Sequence, residues 1–62
     1  MFEYTTVAGY RVNINPKYIT CISDNDCKAD ECCIYTVDGY WFVKESYDTV
    51  NKHYGNWLAR CG

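Results

Sequence analysis

Cys32-Cys33-Ile34-Tyr35-Thr36-Val37 and Tyr40-Trp41-Phe42-Val43-Lys44, joined by Asp38-Gly39, decide the fold of this chain. Both runs are rich in β-branched and aromatic residues, whose side chains fit a pleated and partly buried surface. Asp-Gly is a strong hairpin signal, because glycine adopts positive φ without a steric penalty. The stretch therefore predicts two antiparallel strands and a tight turn. Successive side chains of a strand point to opposite faces. Tyr40 and Phe42 consequently face one way, and Trp41 and Val43 the other.

Upstream, Phe2, Tyr4 and Thr6 alternate with Glu3 and Thr5, and Tyr10, Val12 and Ile14 alternate with Arg11, Asn13 and Asn15. This period of two predicts a first hairpin that turns at Val7-Ala8-Gly9, with Gly9 free to take positive φ. At Asn15-Pro16 pairing stops, since proline lacks an amide donor and steers its predecessor away from helix. Tyr18-Ile19-Thr20-Cys21-Ile22 predicts a third strand, ended by the turn formers Ser23-Asp24-Asn25-Asp26. An acidic loop then runs to about Glu31.

Downstream, Ser46 suits a helix N-cap, Asp48 falls in a first turn where the helix dipole favours an anion, and Gly55 is placed to close the C-terminus. Tyr47, Val50 and Tyr54 supply one apolar stripe. Such a helix has two to three turns and must dock on the sheet, being too short to stand alone. The alternation of Trp57, Ala59 and Cys61 predicts an edge strand or a flat tail after it.

Sixty-two residues form one domain, residues 1–62, and a chain of this size hides only about 60% of the surface its unfolded form exposes. Seven Tyr, two Trp and two Phe are more ring area than one small core readily covers, which points some of it at a partner. The formal net charge is −2, and the six cations, Arg11, Lys17, Lys28, Lys44, Lys52 and Arg60, form no cluster. Direct nucleic-acid binding is therefore not expected. No apolar run reaches the roughly 18 to 20 residues of a membrane span, and no leader-like segment opens the chain. Five cysteines, Cys21, Cys27, Cys32, Cys33 and Cys61, are an odd number, so complete internal pairing is impossible. The expectation is a cytoplasmic protein with reduced thiols; the rival is an oxidised, secreted one.

The residues from Met1 to Ile22 resemble the FlbD family, small proteins often encoded in flagellar operons. Thr5, Gly9, Asn15, Pro16, Ile19 and Ile22 fall on its pattern of strand, Gly turn, strand and Asn-Pro-x-x-Ile-x-x-Ile. Gly39, Val43, Lys44, Glu45, Ser46 and Val50 match its later Gly turn, short strand and Val-Lys-Glu-Ser phrase. The resemblance spans about residues 1 to 54 and implies a small sheet with a capped helix and a regulatory role. It brings no catalytic group. The chain departs from the pattern in its 23 to 31 loop, its cysteines and its tail from Trp57 to Gly62.

Other chemistries are weaker. Cys21-x5-Cys27-x4-Cys32-Cys33 resembles the first four positions of inhibitor-knot toxins, but Cys61 alone remains where two more cysteines are needed. No Cys-x-x-Cys knuckle preorganises a zinc site with His53, so buried free thiols are preferred. Asp24, Asp26, Asp30 and Glu31 lack the glycine of a calcium loop and read as a solvated acidic patch, available to a basic partner surface. The single His53 leaves nucleophile chemistry without parts.

Together these features predict an α+β domain: a small curved antiparallel sheet of four to five strands with a short C-terminal helix. The expected function is stoichiometric protein binding by a small regulator or inhibitor, with no enzyme activity, metal or cofactor. A phage or mobile-element origin would make the target a host protein. The partner is another protein or a second copy, met by Tyr40, Trp41, Phe42 and Trp57 and by the acids Asp24, Asp26, Asp30 and Glu31.

Overall fold

The computed structural model describes residues 1–24 and 28–61, with the side chain of Cys61 excluded. The architecture is α+β, with five short antiparallel strands followed by one helix among the described residues. Strands β1 (Phe2–Thr5) and β2 (Arg11–Ile14) form the N-terminal hairpin. Gly9 closes it at φ +101, and its N–H donates to the Thr6 carbonyl at 2.9 Å. The Asn15-Pro16 turn becomes a single 3-10 turn over Pro16–Tyr18, in which the Asn15 side-chain oxygen accepts from the Lys17 N–H at 3.0 Å. Asparagine here substitutes for a backbone partner, and proline at the first position loses no bond.

Strands β3 (Ile19–Asp24), β4 (Cys32–Thr36) and β5 (Gly39–Val43) form a meander. In the β4–β5 hairpin Thr36 pairs with Gly39, Tyr35 with Tyr40, Ile34 with Trp41 and Cys33 with Phe42. The turn proper falls on Val37 and Asp38, while Gly39 takes up the positive φ at +151. The five strands divide into sheets of two and three, which meet at one bridge between Thr6 and Val43. Sequence periodicity identifies strands but not which strand ends meet, so this division is visible only in three dimensions.

Helix α1 spans Tyr47–Cys61. Ser46 caps it as expected: its Oγ accepts from the Thr49 N–H at 3.2 Å, and Asp48 lies in the first turn. Two expectations are corrected here. Gly55 does not end the helix but lies inside it, and Trp57, Ala59 and Cys61 are helical residues of its last turns, not an edge strand. One interior glycine weakens a helix by about 1 kcal/mol, too little to end one whose apolar stripe continues beyond it. Trp57 extends the stripe of Tyr47, Val50 and Tyr54 and stacks on Tyr54, with ring centroids 6.0 Å apart.

The core lies between the sheets and the helix. Ile34, Val43, Val50 and Cys32 are fully enclosed, and Tyr4, Ile14 and Ile19 complete the cluster. Phe2, Val12, Ile22, Trp41, Tyr47 and Tyr54 pack around it, half-buried. Cys32 occupies this core as a small apolar side chain, as expected of a free thiol. Among the described residues, no helix is long and apolar enough to cross a membrane.

Candidate interaction surface

The alternation of β4 and β5 sorts their side chains onto two faces. Cys32, Ile34 and Val43 enter the core with no exposure. Tyr35, Tyr40 and Phe42 stand on the opposite face at 41%, 59% and 43% exposure. The register places Tyr35 directly across from Tyr40, with ring centroids 5.9 Å apart, and Tyr40 meets Phe42 edge-on at 5.6 Å. Helix α1 covers the other side, so these three rings form a continuous aromatic ladder in contact with water. Val7, 41% exposed, adjoins it through its N–H bond to the Phe42 carbonyl at 3.0 Å.

Cys33 shares this outer face, yet it is buried beneath its neighbours. Burial pushes its thiol pKa up, partly opposed by a hydrogen bond with Tyr35. That same bond, first among several influences, raises the Tyr35 hydroxyl above its ordinary value. On the core side, burial raises Cys32 from 9.0 to about 11, with Cys33, Asp24 and Glu45 adding negative charge nearby. Both adjacent thiols are held protonated at neutral pH and are poor nucleophiles. Cys21, on β3, is the exposed free thiol among the described residues.

The predicted contact residues do not form one site. Tyr40 and Phe42 lie together on the open face. Trp41 is half-buried on the core side, packed on the central cluster and edge-on to Tyr10 at 6.4 Å. Trp57 sits elsewhere, lining a cavity of about 320 Å³ with Met1, Phe2, His53, Asn56 and Arg60. Asp24 ends β3, and Asp30 and Glu31 precede β4, whereas Asp26 lies outside the described residues. Glu31 is half-buried and 3.9 Å from Lys28 Nζ, so its charge is partly matched within the chain. Among the described residues no group of three or more His, Cys, Asp or Glu side chains is arranged to hold a metal.

Sequence reasoning missed Tyr35, Val7 and Tyr10. The signal for Tyr35 was present: a two-residue turn after Thr36 puts Tyr35 opposite Tyr40. Val7 and Tyr10 join the surface only through the meeting of the N-terminal hairpin with β5. A second groove of about 320 Å³ opens there, lined by Val7, Ala8, Tyr10, Tyr40, Trp41 and Phe42.

Compared with known proteins, the chain matches no family, no curated sequence and no solved structure. Its function is therefore argued from this surface.

Proposed function

We propose that this chain is a small, non-enzymatic regulatory or inhibitory protein that acts in the cytoplasm by stoichiometric binding to another protein. The observation that carries this reading is the ladder of Tyr35, Tyr40 and Phe42, three touching rings left in water on a domain whose core is complete without them. Contiguous exposed aromatic area of this kind is typical of interaction sites, where Tyr, Trp and Phe supply most of the contact energy. Asp24 and Asp30, exposed near one end of the sheet, supply an acidic border suited to a basic rim on the partner. The free thiols of Cys21, Cys32 and Cys33 support a reducing compartment over a sulfur-bridged secreted peptide. A phage or mobile-element source would make the partner a host protein. A chromosomal source among flagellar genes would make the chain an FlbD-like regulator; the Asn15-Pro16 turn and the Ser46 cap match the architecture that this resemblance implies, not its role.

The test is the double variant Tyr40→Ser, Phe42→Ser, compared with the parent chain in affinity capture from source-cell lysate followed by light scattering of the recovered complex. The parent should yield one complex of fixed stoichiometry, and the variant, with an unchanged circular dichroism spectrum, should yield none. Equal recovery by both chains would overturn the reading.

A further inference from the structure

The groove beside β5 marks the place where a strand leaves its partner. The Lys44 N–H donates to the Thr5 carbonyl at 2.8 Å and the Val7 N–H to the Phe42 carbonyl at 3.0 Å, flanking the Thr6–Val43 bridge. Past Val7 the chain curls back on itself, with the Thr6 N–H donating to the Tyr10 carbonyl at 2.7 Å. The ladder stops at Phe42, yet β5 begins three residues earlier, at Gly39. In an antiparallel strand the N–H and C=O of one residue point to one side, and those of the next residue to the other. Since Phe42 and Lys44 use the β1 side, the N–H and C=O of Tyr40 point there too, into the groove.

We propose that this notch receives an extended, uncharged segment of a partner protein, which adds to β5 as a short strand bonded to the Tyr40 backbone. The proposal rests on the partner-binding reading above and specifies how recognition occurs. Two properties of the notch choose the occupant. The open edge is two to three residues long, roughly 10 Å at strand rise. A standard interface between folded surfaces needs about 800 Å² from each partner, so the notch fits a short segment and not the flank of a second copy. Its lining carries no charged side chain. A charged residue entering it would lose water and gain no counter-ion. Alternate side chains of an added strand would fall on the Tyr40 and Phe42 rings on one face and the Tyr10 and Trp41 rings on the other. Apolar or small residues match both faces.

Two measurements test the proposal. In amide hydrogen exchange of the chain alone, the Tyr40 N–H should exchange at least about tenfold faster than the Trp41 N–H, which faces β4. Equal protection would mean the edge is already covered and would overturn the proposal. In the second, a phage-displayed library of random hexapeptides is selected on the immobilised chain, and a selected peptide is remade with single N-methyl groups along its backbone. Methylation at the one position whose N–H donates to the Tyr40 carbonyl should weaken binding by about tenfold or more, the equivalent of one lost hydrogen bond near 1.4 kcal/mol, and methylation at either neighbouring position should not. Failure to select any peptide, or indifference to methylation at every position, would overturn strand addition. If an indifferent peptide is still lost with Tyr40→Ser, Phe42→Ser, the aromatic surface stands and only the strand mode falls. A peptide that survives both changes removes both.

Discussion

Tyr4 and His53, forty-nine positions apart, meet through a hydrogen bond of 2.8 Å between the phenolic oxygen and Nδ1, and their rings stack at 6.0 Å. The contact ties the first strand to the helix. Burial, with smaller contributions from the charges of Glu45 and Cys32, pushes the Tyr4 hydroxyl up from 10.0 to about 12. The hydroxyl therefore stays protonated across the neutral range. Tyr4→Phe keeps the ring and removes the hydroxyl that bonds Nδ1, and should cost about 1 kcal/mol in urea unfolding. His53→Ala should cost a similar amount, and the double variant less than the sum of the two. Strict additivity would show that the hydrogen bond contributes nothing.

Alkali should unfold the domain through Cys32 and Tyr4. Both groups have folded pKa values above their ordinary ones, about 11 against 9.0 and about 12 against 10.0. Between those values the folded chain holds more protons than the unfolded chain, so stability is full below pH 9 and falls as pH rises towards 12. Thermal unfolding followed across this range should show the decline, and Cys32→Val should remove its lower part. A melting temperature that is flat to pH 12 would contradict the burial of both groups.

The glycines should respond with opposite signs. Gly55 is helical, and a methyl group added there meets nothing within 4 Å, so Gly55→Ala should stabilise by about 1 kcal/mol. Gly39 holds φ +151, a conformation costly for residues with a side chain, so Gly39→Ala should destabilise even though the space is open. Denaturant midpoints measure both. A stabilising Gly39→Ala would mean the turn is not as described.

Trp41→Ala should destabilise by about 3 kcal/mol, in the range of large aromatic truncations, because its half-buried ring packs against the core cluster. Tyr40→Ser should stay within about 1 kcal/mol of the parent, since its ring is largely in water. This contrast separates the two neighbours into a packing residue and a contact residue. Equal losses would erase the distinction.

Alkylation of the native chain followed by peptide mapping should label Cys21 rapidly and leave Cys32 and Cys33 unmodified until the domain unfolds, because reaction needs access and a thiolate. Rapid native labelling of Cys32 would place it outside the core.

The strands, the Asn15-Pro16 turn and the Ser46 cap were legible because each is set within a few residues. Alternation, a missing amide donor and a hydroxyl three residues before a free N–H are local facts. The end of the helix was not legible. Gly55 resembles a stop, and Trp57, Ala59 and Cys61 satisfy a period of two by accident while Tyr54 and Trp57 satisfy the helical spacing. The exposed pair Tyr40 and Phe42 followed from alternation around one turn. The groove did not, because it depends on where β1 parts from β5, and no local pattern encodes that separation.

The Thr6–Val43 rung also shapes how the chain acquires its structure. Each hairpin closes a short loop and can zip within microseconds, whereas the seam must bring together positions 37 residues apart. The N-terminal hairpin and the three-strand meander should thus assemble independently, with the seam and helix docking completed late. Substitutions at Thr6 or Val50 would then accelerate unfolding while sparing the refolding rate.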